Sequence, residues 1–241
     1  MRNLYLIIIF IVLTTISFFA PINIDVNSAS IFLTVSTFIF AILAGFFISR
    51  QNNRYNNIRS TISEFDGNIS AIYRSFETLS VEAQEKAGKI IKAHYNKILK
   101  VGKWDFHFTH KSSTITSLGN LLAETGGDQN YPSIKNETSS NMIASLDNLQ
   151  VARKRMVSLQ IERMPGGEWV LVIFLAFLLL VSLLLIPSYG LIIDSVMKGI
   201  FGALIIQVMI LLYELDTLKL FESTLGESSA KDILDIIKGK R

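Results

Sequence analysis

The sequence predicts an all-α integral membrane protein with four transmembrane helices and a helical cytoplasmic domain between the second and third of them. Half of its residues are hydrophobic, and its mean hydropathy is +0.41. Its nearly uncharged apolar runs are close to the length of about 20 residues at which a helix crosses a bilayer. These runs cover residues 4–20, 29–49, 169–187 and about 196–213. The segment between the second and third runs is polar and charged.

The runs divide the chain into segments. Residues 1–49 form a first transmembrane hairpin, residues 50–165 a cytoplasmic helical domain, residues 166–213 a second transmembrane hairpin, and residues 214–241 a cytoplasmic tail. The first run has the basic start and apolar core of a signal peptide. However, its candidate cleavage site carries a bulky phenylalanine where a small residue is required. We therefore expect this run to be retained as a helix.

The basic residues are distributed unevenly along the chain. Residues 50–165 hold 16 of the 23 lysines and arginines, whereas the connectors 21–28 and 188–195 hold none. Because cytoplasmic loops of membrane proteins carry an excess of basic residues, we place both termini and the insertion in the cytoplasm. The sequence thus predicts a multi-pass protein of the inner membrane. Orientation explains the basic residues, and the net charge is only +3, so we expect no nucleic-acid partner.

A heptad pattern follows the second run without a break. Its apolar positions alternate in steps of three and four, the spacing of an a/d seam. They are Tyr55, Ile58, Ile62, Phe65, Ile69, Ile72, Phe76 and Leu79. We therefore expect the second transmembrane helix to extend into the cytoplasm as one helix of about 50 residues. The seam fits either packing inside its own subunit or self-association around a symmetry axis.

Two further helices are predicted in the insertion. Apolar stripes indicate helices at about 81–103 and 139–162, and the second of these ends before the Pro-Gly-Gly of 165–167. Residues 104–140 break the pattern. Within them we expect an aromatic segment at 104–108 that docks on the domain or the membrane, and a loop at 126–132. The sequence has no stretch that alternates long enough to predict a strand.

The sequence offers little for catalysis. It has no cysteine, which excludes disulfides, thiol catalysis and thiolate metal sites. His107 and His110, near Asp105, have a spacing that suits a metal, but they lie among aromatic residues without an evident third ligand. We therefore expect an aromatic cluster and no metal there, and a packed core residue at His94. With no phosphate-binding loop and no nucleophile system, we expect neither an enzyme nor a cofactor.

Small and hydroxyl residues mark one face of the second span. Such residues allow close helix contact or line a water-filled path, and both interpretations stay open. The face comprises Ser30, Thr34, Thr37, Ala41, Ala44, Gly45 and Ser49. In the fourth span, Gly199, Gly202 and Ala203 predict close packing, and Gln207 near mid-membrane needs a partner. We expect no charged residue deep inside a span, which argues against a proton-coupled transporter.

Charged residues gather at the predicted cytoplasmic ends of the spans. Glu214 and Asp216 end the fourth span, where carboxylates oppose the helix dipole and need compensation. Arg50, Arg54 and Arg163 are predicted at the same depth and can supply it. We interpret these charges as structural ion pairs or, alternatively, as a cation site or gate sensor at the cytoplasmic mouth.

Several local motifs and the overall layout carry a family resemblance. The motifs are Glu64 with Ala-Ile-Tyr-Arg at 71–74, the region 95–104, Ala-Arg-Lys-Arg at 152–155, Pro165, and Leu-Asp at 215–216. The chain resembles the bacterial bestrophin-like membrane proteins over nearly its whole length. In that family the Leu-Asp pair continues into a Pro-Phe step, whereas here residues 217–221 intervene without a proline.

The resemblance implies an ion channel. True bestrophins are pentameric channels, mostly for anions, whose second spans surround the pore. The leading hypothesis is therefore a homo-oligomeric channel for small inorganic anions, embedded in the lipid bilayer, with the second span facing the axis. The competing hypothesis is a non-conducting membrane scaffold or signalling protein. Such a scaffold would recruit a partner through the heptad helix and an exposed tail, residues 222–241.

Overall fold

The computed structural model describes residues 2–19, 26–103, 105–110, 112–125, 132–186, 191–219 and 225–239. Over these residues the chain is helical and has no strand, which confirms the all-α prediction. The helices are α1 (Arg2–Phe19), α2 (Val26–Leu79), α3 (Val81–Val101), α4 (Phe106–Thr109), α5 (Thr114–Thr125), α6 (Pro132–Ile161), α7 (Gly166–Leu185), α8 (Leu191–Asp216) and α9 (Leu225–Ile237). Parts of the predicted connectors and of the predicted loop, at 21–25, 126–131 and 188–190, lie outside the described residues, as does Trp104 of the aromatic segment.

The described residues contain three helices that are long and apolar enough to cross a membrane. These candidates are Asn27–Leu79, Gly166–Leu185 and Ile192–Asp216. In α1 the described apolar stretch, Ile7–Ile16, is shorter than a span. Large apolar side chains such as Phe38 and Ile173 are exposed along the candidate spans. Such surfaces suit contact with lipid, as expected of a membrane protein.

The long second helix is confirmed. α2 runs for 54 residues and contributes to both of the compact units into which the chain divides. The apolar unit comprises Met1–Asn53 and Arg163–Thr217, and the polar unit comprises Arg54–Glu162 and Leu218–Arg241. The described residues 225–239 belong to the same compact unit as the insertion.

The apolar unit is held together by α1, α2, α7 and α8. Its core consists of Phe40, Ala44, Phe47, Met164, Val172, Leu175, Ala176, Leu179, Ile205 and Leu212. α1 packs closely on α8 at Gly199 and Gly202. A Cβ added at Gly199 would lie 3.0 Å from the Phe10 ring and clash with Thr14, and one at Gly202 would clash with Leu13. This contact confirms the predicted close-packing face of α8.

The polar unit buries the heptad seam inside the subunit. Ile58, Phe65, Ile69, Ile72 and Phe76 are at most 4% exposed, and most of them pack in one core with α3, α5, α6 and α9. This burial favours the first of the two interpretations of the seam, packing within one chain. Internal packing also explains why the spacing is so regular, since each turn of α2 meets another helix.

The predicted ends of α3 and α6 need small corrections. α3 starts after Ser80, whose hydroxyl accepts the Ala83 N–H at 3.0 Å, and it ends where Gly102 adopts φ 67°. That left-handed conformation suits glycine at a helix C-terminus. α6 begins at Pro132, seven residues before the predicted start at 139, because proline is well tolerated in the first turn.

The segment 104–140, in which the sequence shows no clear helical pattern, is partly helical. It contains the short α4 and the 12-residue α5, whose Leu118, Leu121 and Leu122 enter the core of the polar unit. The tail that the scaffold hypothesis requires to be exposed is partly buried at α9. Its residues Ala230, Ile233 and Leu234 are buried, because α9 packs against α3.

Candidate functional site

Helix α2 presents different side chains on its buried and exposed faces within the apolar unit. Phe40, Ala44 and Phe47 are buried in the core of that unit. The predicted small-residue face is exposed at Ser30, Thr34, Thr37, Ala41 and Gly45. Ala44, which sequence analysis placed on the same face, belongs to the buried one. Ser49 is exposed.

The C-terminal part of the small-residue face lines a groove. Thr37, Ala41 and Gly45 of α2 meet Leu183 of α7 and Lys198 of α8 around a cavity of about 760 Å³. A Cβ added at Gly45 would meet nothing within 4 Å. The volume lies in the range of small-molecule pockets, and the lining is mostly apolar. We name this groove the α2 groove.

The α2 groove also contains a charged residue that sequence analysis missed. Lys198 is 7% exposed, and its Nζ donates to the backbone oxygen of Ile186 at 2.5 Å. Asp194 lies one turn earlier on α8 and lines the same groove. Because α8 starts at Leu191, Lys198 lies in its second turn. Lys198 thus lies near the start of the candidate span Ile192–Asp216, and the expectation of no charged residue deep inside a span stays a prediction.

Arg50 has a specific carboxylate partner. Its Nη1 and Nη2 donate to the two carboxylate oxygens of Glu168 at 2.9 and 2.5 Å, and its guanidinium lies 5.5 Å from the centre of the Phe47 ring. The two charged side chains are 36% and 30% exposed, so solvent screens the pair. Sequence analysis predicted Arg50 at this end of the span but did not identify Glu168.

Asp216 ties the end of α8 to the start of α7. Its Oδ1 accepts the backbone N–H of Met164 at 2.7 Å, and its Oδ2 accepts the indole N–H of Trp169 at 3.2 Å. Asp216 is 6% exposed, so loss of these hydrogen bonds at a buried carboxylate would destabilise the folded protein. Glu214 is half-buried on the same helix, and Arg163 is exposed.

Arg54 belongs to the polar unit and caps the C-terminal end of α6 by hydrogen bonds. Its Nε donates to Leu159 O at 2.6 Å, and its Nη2 donates to Gln160 O at 2.8 Å. Carbonyl groups at a helix C-terminus lack intrahelical partners, and a cation there also suits the helix dipole. The predicted mouth charges are thus divided between the two units, and their function stays a prediction.

The side-chain oxygen of Gln207 lacks the hydrogen bond that sequence analysis expected, as far as the described residues show. Within the part of the chain that the structure describes, its Oε1 is buried and has no hydrogen-bond partner. It lies beside a cavity of about 390 Å³ between α1 and α8. Thr14 Oγ1 is likewise buried without a partner among the described residues.

Comparison with protein families identifies the chain. The family model of the bestrophin-like domain matches residues 5–218. The chain belongs to the bestrophin-like family. Comparison with the curated proteins and with the solved structures gives no match. The match includes the α2 groove and the charged residues at the helix ends of this bestrophin-like chain, and it ends before α9.

The polar unit of the bestrophin-like chain contains a stacked histidine pair. The rings of His94 and His107 lie 3.8 Å apart, and His107 Nε2 donates to the backbone oxygen of His94 at 2.9 Å. Burial, with a smaller effect of the His107 charge, lowers the pKa of His94 to about 3. Burial also lowers the pKa of His107. Both imidazoles are therefore neutral at physiological pH, and His94 is a packed core residue, as predicted.

His107 and His110 do not face a common ligand. His107 stacks on His94, whereas His110 stacks on the Phe106 ring with 4.4 Å between centres. Among the described residues, no three possible metal ligands come together. The aromatic cluster that the sequence predicts around 104–108 is confirmed at Phe106, whose ring lies 5.1 Å from that of His107, and at Phe108, whose ring lies 5.7 Å from that of Phe65.

A buried carboxyl group links three helices of the polar unit. Asp66 of α2 accepts hydrogen bonds from the hydroxyls of Tyr95 on α3 and Ser229 on α9. Burial raises the pKa of Asp66, and the two hydroxyl donors partly oppose that effect. Tyr95 is 3% exposed, and burial raises its pKa as well. Sequence analysis missed this network because its members lie far apart in the chain.

Proposed function

We propose that the protein is a homo-oligomeric channel of the inner membrane for small anions, in which the small-residue face of α2 borders the pore. Membership of the bestrophin-like family supports an ion-channel-like function. The observation that carries the proposal is the exposure of Thr34, Thr37, Ala41 and Gly45 on a helix of membrane-spanning length. No enzymatic step is part of the proposal.

The side chains of α2 support this assignment of its faces. Its other exposed face carries the large apolar residues Phe38, Ile42 and Phe46, which suit lipid. Hydroxyl and small side chains are instead favoured where helices approach or where water passes. In the proposed oligomer, copies of α2 place Thr37 and Ala41 around the axis, and the bulky face stays in contact with lipid or neighbouring helices.

The proposed topology has four spans, with both termini and the polar unit in the cytoplasm. α1 is the first span, since its 18-residue helix is close to the required length. The distribution of lysine and arginine supports the orientation. Cytoplasmic basic residues, such as the exposed Arg163, raise the local concentration of anions at the mouth of the channel.

A scaffold function has less support in the residues first assigned to it. The heptad seam packs inside the polar unit, and α9 buries Ala230, Ile233 and Leu234. A partner could not use these apolar side chains without unfolding part of the unit. The apolar side chains of both surfaces that the sequence suggested for recruiting a partner are therefore buried within the polar unit, and this weakens the scaffold hypothesis.

Cysteine substitution on neighbouring residues of α2 tests the pore face, because the chain has no native cysteine. We expect a membrane-impermeant thiol reagent to label Thr37→Cys in the inserted protein. The controls are Phe38→Cys, which is exposed on the bulky face, and Ser36→Cys, which is buried. Labelling of Phe38→Cys in preference to Thr37→Cys would contradict the assigned axis.

Ion flux through liposomes that contain only the purified protein tests conduction itself. We expect chloride flux that Thr37→Trp abolishes and that Ile42→Trp, on the bulky face, leaves intact. Potassium gradients, measured separately, test the selectivity for anions. Absence of flux from folded, correctly inserted protein would overturn the channel proposal and favour a non-conducting membrane protein.

A further inference from the structure

The α2 groove extends along much of a membrane span. It follows α2 from Leu33 to Ile48, a length of about 22 Å at the rise of an α-helix. Its volume is about 760 Å³, and its lining is mostly apolar. One leaflet takes up about half of the bilayer's hydrocarbon thickness of about 30 Å. The groove is therefore long enough for an acyl chain of a phospholipid.

The groove has a buried floor and an exposed rim. On α2, Phe40 and Ala44 are buried in the floor, whereas Thr37, Ala41 and Gly45 are exposed on the rim. On α8 the rim consists of apolar side chains that are about half exposed, namely Met197, Phe201 and Leu204. Because α8 is a candidate span, this side of the rim suits contact with lipid. A lipid chain can therefore enter the groove from the bilayer without crossing water.

Two charges of opposite sign lie at one end of the groove. Asp194 and Lys198 line it near the start of α8, and they are the only charged residues in its described lining. Lys198 Nζ donates to the backbone oxygen of Ile186, directly after the end of α7, at 2.5 Å. An ammonium group has three N–H donors, so this bond is compatible with a further contact to a phosphate oxygen. Asp194 in turn can accept from an ammonium group. The pair complements a headgroup that carries both a phosphate and a primary ammonium.

The size and lining of the groove disfavour two other occupants. Water needs polar partners, and the floor offers apolar side chains. A helix of a second copy is about 10 Å wide, so about 22 Å of it would fill about 1,700 Å³, more than twice the volume of the groove. A second copy can therefore insert side chains but not a helix, whereas an extended hydrocarbon chain is narrow enough to lie along the floor.

We propose that the α2 groove binds one zwitterionic phospholipid with a primary ammonium in its headgroup. An acyl chain lies along the floor, the phosphate contacts Lys198, and the ammonium donates to Asp194. The lipid fills the space between α2 and α8 and leaves the rim residue Thr37 to the proposed pore. This site goes beyond the channel proposal and does not depend on conduction.

Native mass spectrometry of the full-length protein, incubated in detergent with dioleoyl phospholipids, tests the site. We expect one phosphatidylethanolamine per subunit, retained about tenfold more than phosphatidylcholine or phosphatidylglycerol. The quaternary ammonium of phosphatidylcholine has no N–H to donate to Asp194, and phosphatidylglycerol has no ammonium group. Equal retention of the three lipids, or no retention of phosphatidylethanolamine, would overturn the proposal.

Two glycines of α2 provide a matched comparison. A Cβ added at Gly45 or at Gly67 meets nothing within 4 Å, so both positions have room for a larger side chain. Gly45→Phe places a ring in the groove and should reduce lipid retention about tenfold or more. Gly67→Phe, in the polar unit, should keep it. Equal retention in the two variants would exclude the groove as the site. A smaller oligomer mass in Gly45→Phe with unchanged lipid retention would assign the groove to a second copy and also overturn the proposal.

Substitutions at the charged end test the headgroup. Lys198→Met should lose most of the retained phosphatidylethanolamine. Asp194→Ala gives a second variant if Lys198→Met does not fold, since Lys198 also bonds Ile186, and it should retain phosphatidylethanolamine and phosphatidylcholine alike. An unchanged preference for phosphatidylethanolamine in Asp194→Ala would contradict the assigned headgroup. Retention is measured without ion flux, so retained lipid in a protein that does not conduct would overturn the channel proposal alone.

Discussion

Replacing Asp66 with alanine removes the carboxyl group that joins α9 to α2 and α3. Asp66 accepts hydrogen bonds from Tyr95 and Ser229, and each hydrogen bond to a charged group contributes about 1.5–3 kcal/mol. The cost of burying the carboxylate, which is the main cause of its raised pKa, offsets part of this gain. We therefore expect Asp66→Ala to lower the free energy of local unfolding of α9 by about 2 kcal/mol.

Hydrogen–deuterium exchange measures this effect directly. A loss of about 2 kcal/mol corresponds to a roughly 30-fold increase in the opening of α9, since about 1.4 kcal/mol is a factor of ten. Peptides that cover Leu225–Ile237 should exchange faster by that factor, and peptides from α7 should not change. Unchanged exchange in α9 would refute the argument that Asp66 holds this helix.

Asp66→Asn is the matched control, and it also isolates the effect of pH. Asparagine keeps an acceptor at the same position without the cost of a buried charge, so its stability at neutral pH should lie within about 1 kcal/mol of the wild type. Burial raises the pKa of Asp66 in the folded state. Protonated Asp66 therefore stabilises the folded protein. This stabilisation is complete below the pKa of Asp66 in the unfolded chain, and it is lost as the pH rises through the higher pKa of Asp66 in the folded protein.

This pH dependence has a measurable consequence. The wild type should lose stability relative to Asp66→Asn between about pH 4 and the raised folded pKa. Parallel thermal unfolding curves of the two proteins over this range give the difference. A difference that grows in favour of the wild type as the pH rises would contradict the proposed environment of Asp66.

Two further substitutions test the apolar unit. Gly202→Leu inserts a side chain where a Cβ already clashes with Leu13, so it should cost about 1–3 kcal/mol or prevent folding, whereas Gly45→Leu faces open space and should leave the folded subunit stable. Thermal unfolding of the purified variants in detergent compares the two substitutions, and equal destabilisation would contradict the α1–α8 contact. Asp216→Ala leaves two N–H donors unsatisfied and should cost about 1–3 kcal/mol. A thermal midpoint equal to that of the wild type would show that this link is not stabilising.

The sequence predicted the main helices because their signals are local and repeated. The steps of three and four from Tyr55 to Leu79, without a proline, predict one long helix, and α2 has that form. The glycines of α8 likewise predicted a close contact, and α1 makes it. In both cases the pattern lies within one helix, so it can be recognised without knowing which distant residues pack against that helix.

The features that the sequence did not reveal depend on distant or short segments. α5 has only 12 residues, too few for a strong periodic signal. Lys198 lies inside the predicted apolar run of about 196–213, and sequence analysis assigned it no role. A helix beginning at Leu191 would have shown that Asp194 and Lys198 lie one turn apart. The partners of Asp66 and Asp216 lie about 30 or more residues away in the chain, and spacing alone cannot identify such pairs.

The burial of the heptad seam restricts how copies of the chain can associate through α2. A seam that packs inside the subunit at Ile69 and Ile72, both 0% exposed, cannot also pack around a symmetry axis. If α2 surrounds an axis, the residues of its apolar part must therefore make the contact or border the pore. Among these, the bulky side chains suit lipid, whereas Thr37, Ala41 and Gly45 are small enough for close approach or for a water-filled path. The two experiments on Thr37 thus test the one face of α2 that remains compatible with a pore.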